Sequence, residues 1–197
     1  MSITSTTSSV QTTSSAASAF LTRLNNLFPS TLVFLLPQER VVKVAPRDLI
    51  PLLTFLKNHT GREFTQLVDL TAIDWPERKN RFEVVYCLLS VRTATRLTVS
   101  VSIPEGTSIP SVTTLYPSAG WFEREVFDRF GVTFTDHPDL RPRLSDYGFR
   151  GHPLRKDFPL TGYTEVRYSE TGKRIQREPV SLPQEFRQFT LDNPWSN

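Results

Sequence analysis

The sequence predicts an α+β fold, a mixed sheet with packed helices, followed by a long extended C-terminal tail. Two patterns predict the domain. Strand-length runs of β-branched and aromatic residues recur between residues 31 and 104, and two segments carry apolar residues at helical spacing. The tail is predicted because prolines, arginines and aromatic residues follow without a regular period. The predicted organisation is a Ser/Thr-rich N-terminal tail over 1–30, an α+β domain over 31–135 and an extended segment over 136–197.

The N-terminal tail is dominated by Ser and Thr, and no acidic residue precedes Glu39. Organelle transit peptides share that composition, but they are usually rich in arginine, and only Arg23 is basic here. Two interpretations therefore stay open, a transit-peptide remnant and a flexible tail. Within this stretch, FLTRLNNLF at residues 20–28 predicts a short amphipathic helix.

The first half of the domain is predicted to form two strands and a helix. TLVFLL and RVVKVA predict strands around a turn at Pro37 and Gln38. The helix is predicted over PRDLIPLLTFLKNHTG, because leucines recur at helical spacing and Gly61 follows at the end. Pro51 falls near the first turn, where proline is tolerated.

Three further strands are predicted over FTQLVDLTAIDW, RFEVVYCLLSV and RLTVSVSI. The second is apolar on both faces, which is typical of a covered central strand, and its Cys87 is interpreted as a buried thiol that packs as a small hydrophobe. The third alternates, so Leu97, Val99, Val101 and Ile103 are predicted to share one face.

A second helix is predicted over SAGWFEREVFDRFG, with Ser118 as N-cap and Gly131 as C-terminal stop. Phe122, Val126 and Phe130 form its predicted apolar stripe.

The charges of this helix could serve acid–base chemistry or bind a cation, since Glu123, Glu125 and Asp128 lie close together. Arg124 is four residues from Asp128, and Glu125 is four residues from Arg129, so both pairs can form. We therefore interpret the helix as a charged face that meets solvent or a partner.

The composition limits the classes of function that this chain can have. The net charge of +3 is too small to indicate nucleic-acid binding, and most basic residues are arginines, which are favoured at protein interfaces. The histidines His59, His137 and His152 lack metal-ligand spacing, and one cysteine cannot hold an iron–sulfur cluster. We expect no metal and no redox centre in this chain. No apolar run reaches the ~20 residues of a membrane span.

The segment from His137 to Leu160 has no helical or strand period, yet aromatic and leucine side chains recur between its prolines. Prolines limit the freedom of a chain before it binds, and Arg and Tyr often carry binding energy at interfaces. We therefore interpret the segment as extended on another protein. Because no suitable nucleophile motif lies nearby, His137 beside Asp139 is interpreted as a histidine that satisfies a buried carbonyl.

Two stretches carry a family resemblance. EREVFDRFGVTFTDHPDLRPRL and SDYGFRGHPLRKDFPLTGYTEVRY resemble the 30-kDa subunit of respiratory complex I, also called NADH dehydrogenase subunit 9. RFEVVYCLLS, LYPSAGWFERE and QEFRQF extend the resemblance over about residues 62–195. The signature residues, which we expect at an interface, are Glu123, Arg124, Glu125, Asp128, His137, Pro138, Asp139, Arg141, Asp146, Tyr147, Gly148, Phe149, Gly151, His152, Arg155, Lys156, Asp157 and Phe158.

The resemblance implies a non-redox core subunit in the quinone module of proton-pumping NADH:ubiquinone oxidoreductase, which supports assembly and electron transfer from NADH to quinone. It implies no catalytic centre and no cofactor in this chain, with FMN and iron–sulfur clusters in partner subunits. The implied partners are the large quinone-site (49-kDa) subunit and the subunit with the last cluster, without nucleic acid. Together with the Ser/Thr-rich N-terminus, the resemblance implies the matrix side of the mitochondrial inner membrane; a bacterial member would lie on the cytoplasmic face of its membrane.

Several positions depart from the family pattern. Pro142 and Arg143 stand where the family often has Arg and then an apolar residue, and Arg150 stands where an acidic residue is common. Arg129, where apolar residues are usual, is a milder case. These changes alter the charge at the expected interface.

Two alternatives remain beside this interpretation. Related subunits occur in membrane-bound hydrogenases and in quinone-reducing complexes without an NADH module. A stand-alone acid/base enzyme would instead use Glu125, Asp128 and His137.

Overall fold

The structure is a computed structural model that describes Leu24, residues 27–28, 32–35 and 40–187, Phe189 and Trp195. Most of the predicted helix at 20–28 and the predicted turn at Pro37 and Gln38 lie outside these residues. The chain forms two compact units, Met1–Lys156 and Asp157–Asn197, which we describe separately.

The first unit is built on a mixed five-stranded sheet, so the predicted α+β fold is confirmed. Its spatial order is β1-β2-β5-β4-β3, in which β2 and β5 are parallel and all other neighbours are antiparallel. The strands are β1 (Leu32–Leu35), β2 (Arg40–Val44), β3 (Gln66–Asp74), β4 (Phe82–Ser90) and β5 (Thr95–Ile103).

Among the residues from 40 to 156, two α-helices pack in this unit. A short 3₁₀ helix, Pro46–Asp48, leads into α1 (Leu49–Asn58), and α2 (Ala119–Phe130) packs against β3. On either side of α2 in the sequence, β6 (Ile109–Pro110) and β7 (Phe134–Thr135) form a short parallel pair. This pair brings the chain before α2 and the chain after it to the same place.

The core lies between the helices and one face of the sheet. All four leucines of α1 at helical spacing are completely buried, and each such side chain contributes roughly 1.5–3 kcal/mol through removal of apolar surface from water. The face of β5 predicted to be apolar is also buried, as are alternate residues of β4. The buried β5 residues are Leu97, Val99, Val101 and Ile103.

The sequence interpretation of β4 is wrong, and the N-cap prediction for Ser118 holds for its position only. The second face of β4 is only half-buried, and Cys87 lies there with Val85 and Leu89, so the strand is not covered on both sides. Ser118 occupies the N-cap position of α2 with helical φ and ψ and makes no side-chain capping bond; its hydroxyl lies 3.5 Å from the Leu67 carbonyl instead.

The second unit contains a hairpin that the sequence interpretation missed. Strand β8 (Thr164–Ser169) pairs antiparallel with β9 (Arg174–Pro179), so the tail is not without regular structure. Val166 and Tyr168 alternate on β8 and Ile175 lies across from Tyr168, and all three side chains are exposed. The alternation in TEVRYS was the available signal.

No helix among the described residues is long and apolar enough to cross a membrane.

Candidate interaction site

The buried side of α2 carries a carboxylate. Glu123 is completely buried, and its two oxygens accept hydrogen bonds from the Ser111 hydroxyl at 2.7 Å and the Val112 amide at 2.8 Å. Burial raises the pKa of Glu123, although these two hydrogen bonds and the nearby His137 act to lower it. The residue therefore ties the chain after β6 to the helix and is not part of a solvated charged face.

His137 lies at the N-terminal end of α2. Its Nδ1 accepts from the Asp139 amide at 3.1 Å, which leaves Nε2 to donate to the Gly120 carbonyl at 3.3 Å. Nε2 is also 3.8 Å from a Glu123 carboxylate oxygen, and the His137 side chain is almost completely buried. The prediction that this histidine bonds a backbone carbonyl is confirmed, although Gly120 is only partly buried.

Asp128 holds the segment that follows β7. One of its carboxylate oxygens accepts from the Leu144 amide at 2.8 Å and from the Ser145 amide at 2.9 Å. Burial alone would raise the pKa of Asp128, but hydrogen bonds from Ser145 and Leu144 and the charge of Arg129 outweigh it and lower the pKa. The Asp128 carboxylate therefore positions the backbone at Leu144 and Ser145.

The end of α2 is closed by residues more than twenty positions further along the chain. A helix leaves its last carbonyls without partners inside the helix. Here the Asp128 carbonyl accepts from His152 Nδ1 at 3.0 Å, and the Arg129 carbonyl accepts from the Leu154 amide at 3.2 Å. The Phe130 carbonyl accepts from Arg155 Nε at 2.6 Å. We call residues 152–156 the helix clamp.

The helix clamp requires a glycine at position 131. Gly131 takes the left-handed conformation with φ of 77° and donates to the Phe127 carbonyl, as a C-terminal stop does, so that prediction is confirmed. A Cβ at this position would lie 2.6 Å from both Arg155 Nη2 and His152 Nε2. The glycine therefore serves two purposes, the backbone turn and the space for the clamp.

The clamp is also tied to the sheet by charges. Arg81 forms a two-pronged pair with Asp74 at 2.8 and 3.0 Å, and Asp74 also accepts from the Lys156 amide at 2.9 Å. Glu105 bridges Arg81 and Arg155 at 3.0 and 2.6 Å. The hydrogen bond from Arg81 is the main cause that lowers the pKa of Asp74.

The outer face of α2 pairs with the segment after β7 and not within the helix. Arg124 contacts Asp139 at 2.6 Å, and Glu125 contacts Arg143 at 2.8 Å. The predicted pairs of Arg124 with Asp128 and of Glu125 with Arg129 are therefore wrong. Arg143, one of the departures from the family pattern, has its partner inside this chain.

Most of the signature residues up to Lys156 lie around α2 within the first unit. The segment that begins at His137, interpreted from the sequence as lying on another protein, contacts its own domain as far as Lys156. Asp157 and Phe158 belong to the second unit, in which Phe158 packs edge-on against Tyr163. The predicted boundary at 135/136 and the interface role of these residues stay predictions. The division into compact units falls after Lys156.

The residues considered for a stand-alone enzyme have separate partners. Glu125 pairs with Arg143, Asp128 binds two backbone amides, and His137 binds Gly120. This arrangement does not favour the acid/base alternative. Among the described residues, no three His, Cys, Asp or Glu side chains are placed to hold a metal ion.

Sequence reasoning missed the contacts made by Glu123, Asp74 and Glu105. For Glu123 a signal existed, because Ala119, Val126 and the buried Phe130 share its helical stripe. For Glu105 and for the bond from the Lys156 amide to Asp74 the sequence held none, since these partners lie 24 to 82 residues away along the chain. Arg81, the other partner of Asp74, is seven residues away.

These contacts define an α+β protein whose charged groups hold an extended segment against a helix. Residues 42–164 match the family described as respiratory-chain NADH dehydrogenase, 30 Kd subunit. The chain is 58% identical over 157 residues to the C subunit of the NADH-quinone oxidoreductase of Ruegeria pomeroyi, and the match covers 80% of this chain and 78% of that protein. It is 57% identical over 157 residues to NADH-ubiquinone oxidoreductase subunit 9 of Reclinomonas americana, with coverage of 80% and 77%. The chain belongs to the respiratory-chain NADH dehydrogenase 30 kDa subunit family.

Proposed function

We propose that this chain is a non-redox core subunit in the quinone module of NADH:quinone oxidoreductase, complex I, and supports its assembly and electron transfer from NADH to quinone. Family membership over residues 42–164 is the observation that carries the proposal. The geometry around α2 supports it, because Glu123, Asp128 and His137 are engaged in holding backbone.

The redox cofactors belong to partner subunits in this proposal. An iron–sulfur cluster is ordinarily held by several cysteine thiolates, and the whole sequence contains only Cys87. The clusters are therefore assigned to neighbouring subunits, FMN is assigned to them from the family resemblance, and no catalytic centre is assigned to this chain. The enzyme as a whole is the proton-translocating NADH:ubiquinone reductase.

The partners we propose are the large quinone-site (49-kDa) subunit and the subunit that carries the last iron–sulfur cluster. The proposed location is the peripheral arm on the matrix side of the mitochondrial inner membrane. The likeness to subunit 9 of Reclinomonas americana and the Ser/Thr-rich N-terminal tail support that location. Because bacterial relatives are similarly close, the location is tested separately from the assembly.

Native electrophoresis of gently solubilised membranes tests the assembly. We expect an antibody to this chain to label a very large band that also stains for NADH dehydrogenase activity. Migration of the chain near its own 22.5 kDa would contradict the proposal. Migration in a large band without NADH activity would favour the hydrogenase-type or NADH-independent complexes.

Protease protection of isolated mitochondria tests the location. We expect the chain to be degraded only after the inner membrane is opened. Degradation in mitochondria with only the outer membrane ruptured would place it elsewhere.

A further inference from the structure

A groove of about 610 Å³ lies between the outer face of α2 and residues 141–152. Trp121 lines it and is 59% exposed, and the guanidinium groups of Arg124 and Arg143 lie 5.2 and 5.4 Å from the centre of its ring. Exposed tryptophan beside arginine is the composition found where binding energy concentrates at protein interfaces.

The far wall of the groove is an ordered turn. The Phe149 amide donates to the Asp146 carbonyl at 3.0 Å, and the Tyr147 amide donates to the Asp146 side chain at 2.8 Å. Gly148 adopts a φ of 72° in this turn, and Tyr147 is 96% exposed. Since Asp128 also fixes the neighbouring Ser145 amide, the groove is formed before anything binds, and this lowers the cost of binding.

Arg141 is the lining cation best placed to take a carboxylate from another chain. Arg124, Arg141 and Arg143 line it, and the carboxylates that pair with them, Asp139 and Glu125, are not among the lining residues. One oxygen of Asp139 serves both Arg124 and Arg141, and the Arg141 side chain is 70% exposed.

The two carboxylates that do line the groove are already engaged by backbone amides. Asp128 accepts from Leu144 and Ser145, and Asp146 accepts from Tyr147. Hydrogen bonds from neutral amides leave both carboxylates charged, and Asp146 is exposed, so the groove presents charges of both signs; Arg141, exposed and sharing one Asp139 oxygen with Arg124, is the cation that can take a further carboxylate.

We infer that this groove binds an extended segment of a neighbouring protein that carries a carboxylate for Arg141 and an apolar side chain for the surface of Trp121 and Tyr147. Arginine pairs with carboxylates through two parallel hydrogen bonds, and its flat face packs on aromatic rings, so one such segment satisfies both features. The inference rests on the proposed function, because it requires a partner subunit.

Photo-crosslinking in the assembled complex tests the inference. The variant Trp121→p-benzoylphenylalanine is expected to give an adduct with a neighbouring chain, and the crosslinked peptide is expected to contain Asp or Glu next to the modified residue. Arg141→Glu in the same background should reduce the adduct by about tenfold, whereas Arg141→Lys should keep part of it. Arg96→Glu, at another exposed arginine on β5, is the matched control and should leave the adduct unchanged.

The outcomes separate the two proposals. A wild-type chain missing from the NADH-active band contradicts the proposed function itself. A chain present in that band overturns only this inference if residue 121 gives no adduct, labels a lipid, labels a peptide without a carboxylate, or gives an adduct insensitive to Arg141→Glu.

Discussion

Arg155 donates through Nε to the carbonyl of Phe130, the last residue of α2, while its Nη1 reaches Glu105 beyond the end of β5. One side chain thus joins a helix end to the end of a strand across 50 residues of sequence. A cation at a helix C-terminus is also favoured by the helix dipole.

Replacement of Gly131 by alanine should destabilise the chain by more than the left-handed backbone alone explains. The new Cβ would meet His152 and Arg155 at 2.6 Å, and the strained φ adds about 1–2 kcal/mol. Gly106→Ala is the matched control, because Gly106 has a φ of 79° and no atom within 4 Å of a Cβ. Urea unfolding of both variants measures the difference. Equal losses of unfolding free energy in the two variants would show that the helix clamp accommodates the new Cβ without an energetic penalty.

Arg155→Ala should lower the unfolding free energy by about 1–3 kcal/mol, since the variant leaves a helix carbonyl without its charged donor. The loss is smaller than for a fully buried pair, because Glu105 is half exposed. The exposed pair Arg47–Asp48 provides the comparison, and Arg47→Ala should cost about 1 kcal/mol or less. If thermal unfolding ranks the two variants equally, Arg155 is only a surface charge.

The stability of the chain should fall as pH rises above about 4.5, through the contribution of Glu123. Burial raises the pKa of Glu123 in the folded state above its ordinary value of 4.5, so below that value the carboxyl is protonated in both states. Between that value and the raised pKa, the unfolded chain releases the proton first and unfolding becomes easier.

Glu123→Gln should remove this part of the pH dependence. The measurement is the unfolding free energy of wild type minus that of Glu123→Gln, followed from pH 4 to pH 8. Glu125→Gln, at an exposed position of the same helix, controls for charge. A difference that stays constant with pH would mean that the Glu123 pKa is not raised.

Cys87→Ala should leave NADH:quinone electron transfer and all iron–sulfur signals intact, because the thiol is half-buried on a sheet face and assigned no cluster. A packing loss of about 1 kcal/mol is expected. Electron paramagnetic resonance of the assembled complex is the measurement. Disappearance of any cluster signal would overturn the assignment of all redox centres to partner subunits.

Local patterns were sufficient to predict most of the sheet, α1 and α2. The leucines of α1 and the alternating face of β5 are buried as their spacing predicts, because burial of an amphipathic face follows directly from periodicity. Gly131 ends α2 for an equally local reason. Ser118 failed as a cap, since its backbone is already helical and its hydroxyl faces another carbonyl.

The site was less predictable because its contacts join distant parts of the chain. The spacing of Arg124 and Asp128 suggested a pair within α2, but Asp139 and two backbone amides provide closer partners. Likewise, nothing near His152 in the sequence indicates that it caps a helix that ends at Phe130. The family resemblance located these residues, but it did not say what each one contacts.

The helix clamp has a consequence for the order in which this protein is completed on the ribosome. The carbonyls at the end of α2 emerge more than twenty residues before His152, Leu154 and Arg155, which satisfy them. During that interval the chain already contains every residue of the sheet and of α2, but it lacks the three donors that close the helix end. A stop codon between Gly131 and Lys156 would release a chain in which at least one of these helix carbonyls lacks its donor. The stability of the finished domain therefore depends on contacts made by the residues of this unit that are translated last.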